Sequence, residues 1–172
     1  DVLKSFYNEI TKVASEMKDV DFEILFIDDG SKDKTLNIIK NYSTIDSRVK
    51  YISFSRNFGK ESAMYAGLKA TTADYVIVMD ADLQHPPALF PRMIESVENG
   101  HDCCAARRTT RKGESVIRSF FSRTFYKLSN KMCDVELVQG AVDFRIMSRQ
   151  MVDSILELSE VQRFSKGLFM WV

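Results

Sequence analysis

The sequence predicts an α/β fold with a mostly parallel sheet, and three observations predict it. Short apolar runs alternate with amphipathic stretches, two of the runs stop on paired aspartates, and no internal repeat, low-complexity tract or linker interrupts the alternation. Apolar runs of strand length read as strands buried on both faces, and their alternation with helices implies right-handed crossovers. With 172 residues the chain reads as one domain, 1–172, long enough for a real core.

The elements follow in order. Val2, Leu3, Phe6, Ile10, Val13 and Met17 fall at helical spacing and make an amphipathic opening helix. Strands are predicted at 22–27, 49–54, 74–79 and 101–106, and helices near 33–43, 59–70 and 87–98 separate them. A basic, aromatic helix is expected from about 114 to 131, then a strand-like segment from Phe144 to Met147 and a helix over 149–158. The sequence ends on an apolar stretch, Leu168 to Val172. Opening on a helix with no strand before it, and closing without a polar stop, the domain reads as cut at both ends. It contains no signal peptide and no uninterrupted apolar stretch of membrane-spanning length.

The most informative segment is YVIVMDADLQ, Tyr75 to Gln84: an apolar strand that stops on Asp80 and Asp82. Open α/β sheets bind ligands beyond the carboxyl ends of their strands. Two carboxylates there suit a hard divalent cation, Mn²⁺ or Mg²⁺, shared with a diphosphate. FEILFIDDGSKDKT repeats the pattern, with Asp28 and Asp29 following the run from Phe22 to Ile27. Two readings stand for this second pair: helix caps in a βα turn, or hydrogen-bond acceptors for a nucleoside. For Asp33 the cap is the reading preferred.

Charge is balanced overall, 24 basic against 24 acidic residues, and gives no sign of a nucleic-acid partner. Locally, Arg107, Arg108, Arg111, Lys112, Arg118, Arg123 and Lys127 crowd one stretch. They read either as a solvated helix face or as a site for anionic phosphates, with Arg107 and Arg118 the candidates. Cys103 and Cys104 are adjacent on a strand and point to opposite faces, while Cys133 lies apart, so neither a CxxC metal pair nor a disulfide framework is present. His85 beside the acidic loop reads as an exposed loop histidine.

Three blocks, VDFEILFIDDGSKDKT, the long segment from VKYISFSRNFGKESAMYAGLKATTADY to VIVMDADLQHPP, and VQGAVDFRIMSRQ, together resemble glycosyltransferase family 2, inverting enzymes of the GT-A fold. The subgroup they are most similar to is the polyprenyl-phosphate and dolichyl-phosphate sugar transferases. The resemblance implies a single catalytic domain with a three-layer, mostly parallel sheet of that type, lacking its first strand. It implies a nucleotide-sugar donor, a lipid-phosphate or glycan acceptor, and a parent protein at the cytoplasmic face of a membrane, held there by parts outside this sequence. A homo-oligomer is left open.

Site residues carry over by position. Asp28 and Asp29 match the acidic pair near the base and ribose; Asp80 and Asp82 match the DxD of ribose, metal and diphosphate. Gln84 closes that motif, and Arg56 to Lys60 match an RNFGK block whose helix could hold an anion, which makes Lys60 a donor-site candidate. Asp143 matches an acidic residue near the acceptor, often assigned as base. Arg163 and Lys166 match a basic loop that closes on diphosphate and acceptor phosphate, so the segment from Ser159 to Gly167 is expected to act as a lid.

An anionic lipid phosphate needs little base catalysis, whereas a hydroxyl acceptor needs Asp143 as general base. Three other readings compete: a family 2 transferase that builds or decorates a polysaccharide, a nucleotidyltransferase, and a receiver-like metal-binding domain.

Overall fold

The structure, a computed structural model, describes residues 2–107, 141–158 and 168–169. The opening helix, α1 (Val2–Glu16), buries Phe6, Ile10, Val13 and Ala14 on one face. Then come β1 (Ile24–Asp28), α2 (Thr35–Ile45), β2 (Val49–Ser53), α3 (Lys60–Ala70) and β3 (Tyr75–Val78). A 3₁₀ turn at Pro87–Leu89 leads into α4 (Phe90–Glu98), and β4 (Cys103–Arg107) follows. Beyond residue 140 lie β5 (Ala141–Ser148) and α5 (Arg149–Glu157).

The elements predicted within the described residues are present, with ends moved for physical reasons. The helix predicted from residue 33 starts at Thr35, because the Asp33 carboxylate accepts the Thr35 N–H at 2.9 Å. Hydrogen bonding from the Thr35 side chain, and then from its N–H, keeps the Asp33 carboxyl below its ordinary value. The helix predicted over 87–98 divides in two: proline lacks the amide hydrogen, so Pro87 and Pro91 each sit in a first turn, where no partner is needed. The helix predicted at 114–131 and the remaining members of the basic run, Arg118 included, lie outside the described residues.

The strands hydrogen-bond in two sets. β1 and β2 are parallel, in register from Ile24 opposite Val49 to Asp28 opposite Ser53. In the other set the order is β3-β5-β4, with β5 antiparallel to both neighbours. β3 and β4, which α4 connects, therefore run in the same direction with β5 inserted between them. The sequence marked β5 only as Phe144 to Met147. The observed strand extends to both sides, and Phe144, Ile146 and Met147 are fully buried because it is central.

The alternation along β5 divides the core. Phe144 and Ile146 join a cluster with Phe6, Ile10, Phe26, Ile39, Phe90 and Ile94. Met147 packs on the other face with Leu68, Met151, Val152, Ile155 and Phe169. Each such side chain contributes about 1.5–3 kcal/mol through burial. Cys104 packs against the first cluster and Cys103 against the second, so the pair does point to opposite faces, and both are free thiols.

Candidate active site

The site begins where β1 ends. Asp28, only 3% exposed, is held on three sides: Oδ1 accepts the Ser31 N–H at 3.2 Å, Oδ2 accepts the Ser53 hydroxyl at 2.8 Å, and its carbonyl accepts the Phe54 N–H. Burial alone would raise its pKa, but the hydrogen bonds from Ser31 and Ser53 outweigh it and the carboxyl stays below its ordinary value. Asp29 points the other way. Its two oxygens accept the N–H groups of Phe58 at 2.7 Å and Gly59 at 2.9 Å, immediately ahead of α3. The amino end of α3 was expected to favour an anion, and the anion seated there is Asp29 itself.

Two glycines permit this arrangement. Gly30 has φ +72°, and a Cβ on it would lie 2.4 Å from the backbone carbon of Arg56. The loops after β1 and β2 can touch only because that side chain is absent. Gly59 has φ +92°, a conformation that other residues rarely adopt, and it turns the chain into α3.

The second acidic pair follows β3. Carrying the β3–β5 register two residues past Val78 opposite Arg145 sets Asp80 opposite Asp143. Asp82 Oδ1 accepts the Gln84 N–H at 3.0 Å, an Asx-type turn that holds Leu83 at φ +58°. Asp82 and Gln84 are exposed. His85 is not the exposed loop histidine expected: it is half-buried and its ring stacks on Phe144, with centroids 5.4 Å apart, which anchors the acidic loop to the core.

Lys60, the first residue of α3, joins these parts. Its Nζ lies 2.7 Å from Asp80 Oδ2 and 2.7 Å from Asp143 Oδ2. Burial by itself would lower the Lys60 pKa; the hydrogen bonds and charges of Asp143 and Asp80 overcome it, and the net shift is upward. The carboxylate expected near the donor and the one expected near the acceptor thus share one ammonium. Asp29 fixes the turn that places it.

Arg107, at the exposed end of β4, pairs with Ala141 in the ladder. Arg118, Arg163 and Lys166, with the whole segment from Ser159 to Gly167, lie outside the described residues. One charged residue that sequence reading missed is Arg145. It is 3% exposed, stacks on Phe169 at 3.8 Å, and donates from Nη2 to the Val142 carbonyl. Its two-residue spacing from Asp143 on β5 was the available signal, since that spacing puts both on one face.

Among the described residues no set of three or more His, Cys, Asp or Glu side chains is gathered for a metal. The donor chemistry nevertheless fits a divalent ion. Mg²⁺ is commonly held by one or two carboxylates and completed by substrate phosphates and water, and the Asp80 carboxylate already has a cation, the Lys60 ammonium, against it.

Comparison with known proteins shows the family. The family model described as glycosyl transferase family 2 matches residues 2–156. CsbB of Bacillus subtilis (strain 168), named a putative glycosyltransferase, is 54% identical over 152 residues, covering 88% of this chain and 46% of that protein. The bactoprenol glucosyl transferase of Shigella phage SfX is 42% identical over 167 residues, 97% of this chain and 54% of that one. A prophage bactoprenol glucosyl transferase homolog of Escherichia coli (strain K12) is 40% identical with the same coverage. The chain spans about half the length of these relatives. No described helix is long and apolar enough to cross a membrane.

Proposed function

The chain belongs to glycosyl transferase family 2, and we propose that the protein it comes from moves a sugar from a nucleotide-sugar donor to a polyprenyl phosphate, with inversion at the anomeric carbon. The observation that carries this reading is the shared ammonium of Lys60, which puts Asp80 and Asp143 within one lysine's reach. A sugar bound beside this bridge would have the leaving diphosphate near Asp80 and the incoming nucleophile near Asp143. The polyprenyl acceptor is supported by relatives that are named bactoprenol glucosyl transferases. The reaction would run at the cytoplasmic face of a membrane.

In the reaction, an acceptor phosphate oxygen forms the new bond to the anomeric carbon as the bond to the diphosphate breaks, and the nucleoside diphosphate leaves with that electron pair. Asp28 and Asp29 would act at the nucleoside end, although both carboxylates already hold backbone or hydroxyl groups. Asp28 would therefore shape the floor beneath the nucleoside, and Asp29, which holds the loop of Phe58 and Gly59, would set the wall beside it. Asp80 and Asp82 would hold Mg²⁺ or Mn²⁺, and Gln84 would close the loop over the diphosphate. When bound, the ion would supply positive charge against the negative charge that builds on the leaving group.

Asp143 would face the acceptor side. A phosphate nucleophile is already anionic near neutral pH, so Asp143 need not remove a proton and would orient the acceptor through Lys60. With a hydroxyl acceptor it would have to act as base. Arg107, with Arg118, Arg163 and Lys166, would meet the acceptor phosphate and the diphosphate as charge-assisted donors.

The test is a donor screen of the intact protein with Mn²⁺ that follows release of nucleoside diphosphate. Release that requires polyprenyl phosphate is expected. Release that ignores the lipid and responds to a soluble glycan would replace this reading with a polysaccharide transferase.

A further inference from the structure

The Lys60 ammonium already bonds Asp80 Oδ2, one of the oxygens that a divalent cation on Asp80 would use. A carboxylate oxygen that receives an ammonium hydrogen at 2.7 Å cannot also offer that lone pair to an ion at about 2.1 Å. Binding through the other oxygen of Asp80 would still leave two cations on one carboxyl group. The two arms of the bridge are unequal. The Asp80 side chain is 41% exposed and that of Asp143 is 19%, so water screens the Asp80 arm more and the Asp143 arm holds better.

We propose that Lys60 is a tethered counter-ion of Asp80 that gives way when a divalent cation arrives and remains bonded to Asp143. The proposal rests on the reading that Asp80 and Asp82 hold the metal, and it adds an exchange step. Without metal, the ammonium offsets the repulsion between the two carboxylates that it bridges. With metal, the charge on Asp80 is matched by the ion, and Lys60 is released to the acceptor side, where a phosphate would meet it. The protein's affinity for metal alone is then held down by its own lysine. Donor binding, which brings diphosphate oxygens to the ion, favours the exchange.

The experiment measures free Mn²⁺ by electron paramagnetic resonance during titration of the intact protein, without nucleotide, for the parent, Lys60→Met and Lys60→Arg. Removing a competing positive charge at contact distance should tighten Mn²⁺ binding about tenfold in Lys60→Met. Lys60→Arg keeps the charge and should stay within about twofold of the parent. In the double variant Lys60→Met with Asp80→Asn the gain should vanish, which assigns it to Asp80. Lys60→Gln serves as a second neutral variant, with circular dichroism to establish folding. Equal Mn²⁺ affinity in the parent and both neutral variants would overturn the exchange while leaving the metal site standing. Absence of Mn²⁺ binding in every variant, with nucleoside diphosphate added as well, would remove the metal reading and the exchange with it.

Discussion

Asp29 accepts the backbone N–H of Gly59 at 2.9 Å, and Gly59 immediately precedes the lysine that joins Asp80 to Asp143. A carboxylate at the end of one strand thus sets the position of a cation that serves the end of another. The link is made of backbone N–H groups, so it transmits position and leaves the Lys60 side chain to carry the charge.

Asp29→Asn should therefore act mainly on turnover. An amide has one acceptor oxygen where the carboxylate has two, so one of the two N–H groups ahead of α3 loses its partner. A fall of about tenfold in kcat is expected, with a stability loss of about 1 kcal/mol and nucleoside diphosphate affinity within about threefold of the parent. Calorimetric binding alongside steady-state rates checks this. A large loss of nucleotide affinity with kcat intact would instead make Asp29 a direct nucleotide contact.

Asp82→Asn should reduce activity at least about 100-fold, because charge neutralisation at a diphosphate leaving group amounts to several kcal/mol and each ~1.4 kcal/mol is tenfold in rate. The Asx turn to Gln84 survives the change, since an asparagine oxygen can accept the same N–H. A folded variant with activity within about threefold of the parent would show that Asp82 is not a ligand that matters.

Gly30→Ala should destabilise the fold by about 2–4 kcal/mol, the sum of a left-handed backbone cost and overpacking. The clash is with the Arg56 backbone, which no rotamer change relieves. Urea unfolding monitored by circular dichroism measures it. A cost below about 1 kcal/mol would mean that the two loops part easily.

Acid should weaken the packing of α1 on the loop between α2 and β2. Asp46 bonds the Arg48 guanidinium and receives the Tyr7 hydroxyl, and chiefly the Arg48 hydrogen bond keeps its carboxyl well below the usual range. A carboxyl depressed on folding stabilises the protein fully above its unfolded pKa of about 4, and that contribution is lost as pH falls toward the folded value. Because Arg48 is partly exposed, about 1 kcal/mol is expected. Thermal melts of the parent and Asp46→Asn should differ most at about pH 6, where the carboxylate is charged in both states, and the gap should narrow as pH falls from about 4 toward about 2. A constant gap would contradict the assignment.

Much of this was legible in the sequence because strand ends carry their own punctuation. Apolar runs that stop on Asp28 and Asp80 placed both acidic pairs, and the helical spacing of Phe6, Ile10 and Val13 placed α1. What could not be read were relationships fixed by pairing between distant segments. The β5 register that sets Asp143 opposite Asp80 depends on which strand lies between β3 and β4, and local pattern does not encode that choice. The same holds for the engagement of Asp29 with Phe58 and Gly59, and for His85, whose stacking partner Phe144 is distant in the chain.

The central claim is transfer of a sugar to a lipid phosphate with inversion, and the structure of the product tests it most directly. The intact protein, incubated with an accepted nucleotide-sugar and polyprenyl phosphate, should yield a glycosyl polyprenyl monophosphate. Nuclear magnetic resonance of its anomeric proton and phosphorus coupling should show the sugar linked through phosphate, with configuration opposite to that of the donor. A sugar joined to a hydroxyl, or an anomeric configuration that is retained, would contradict the account.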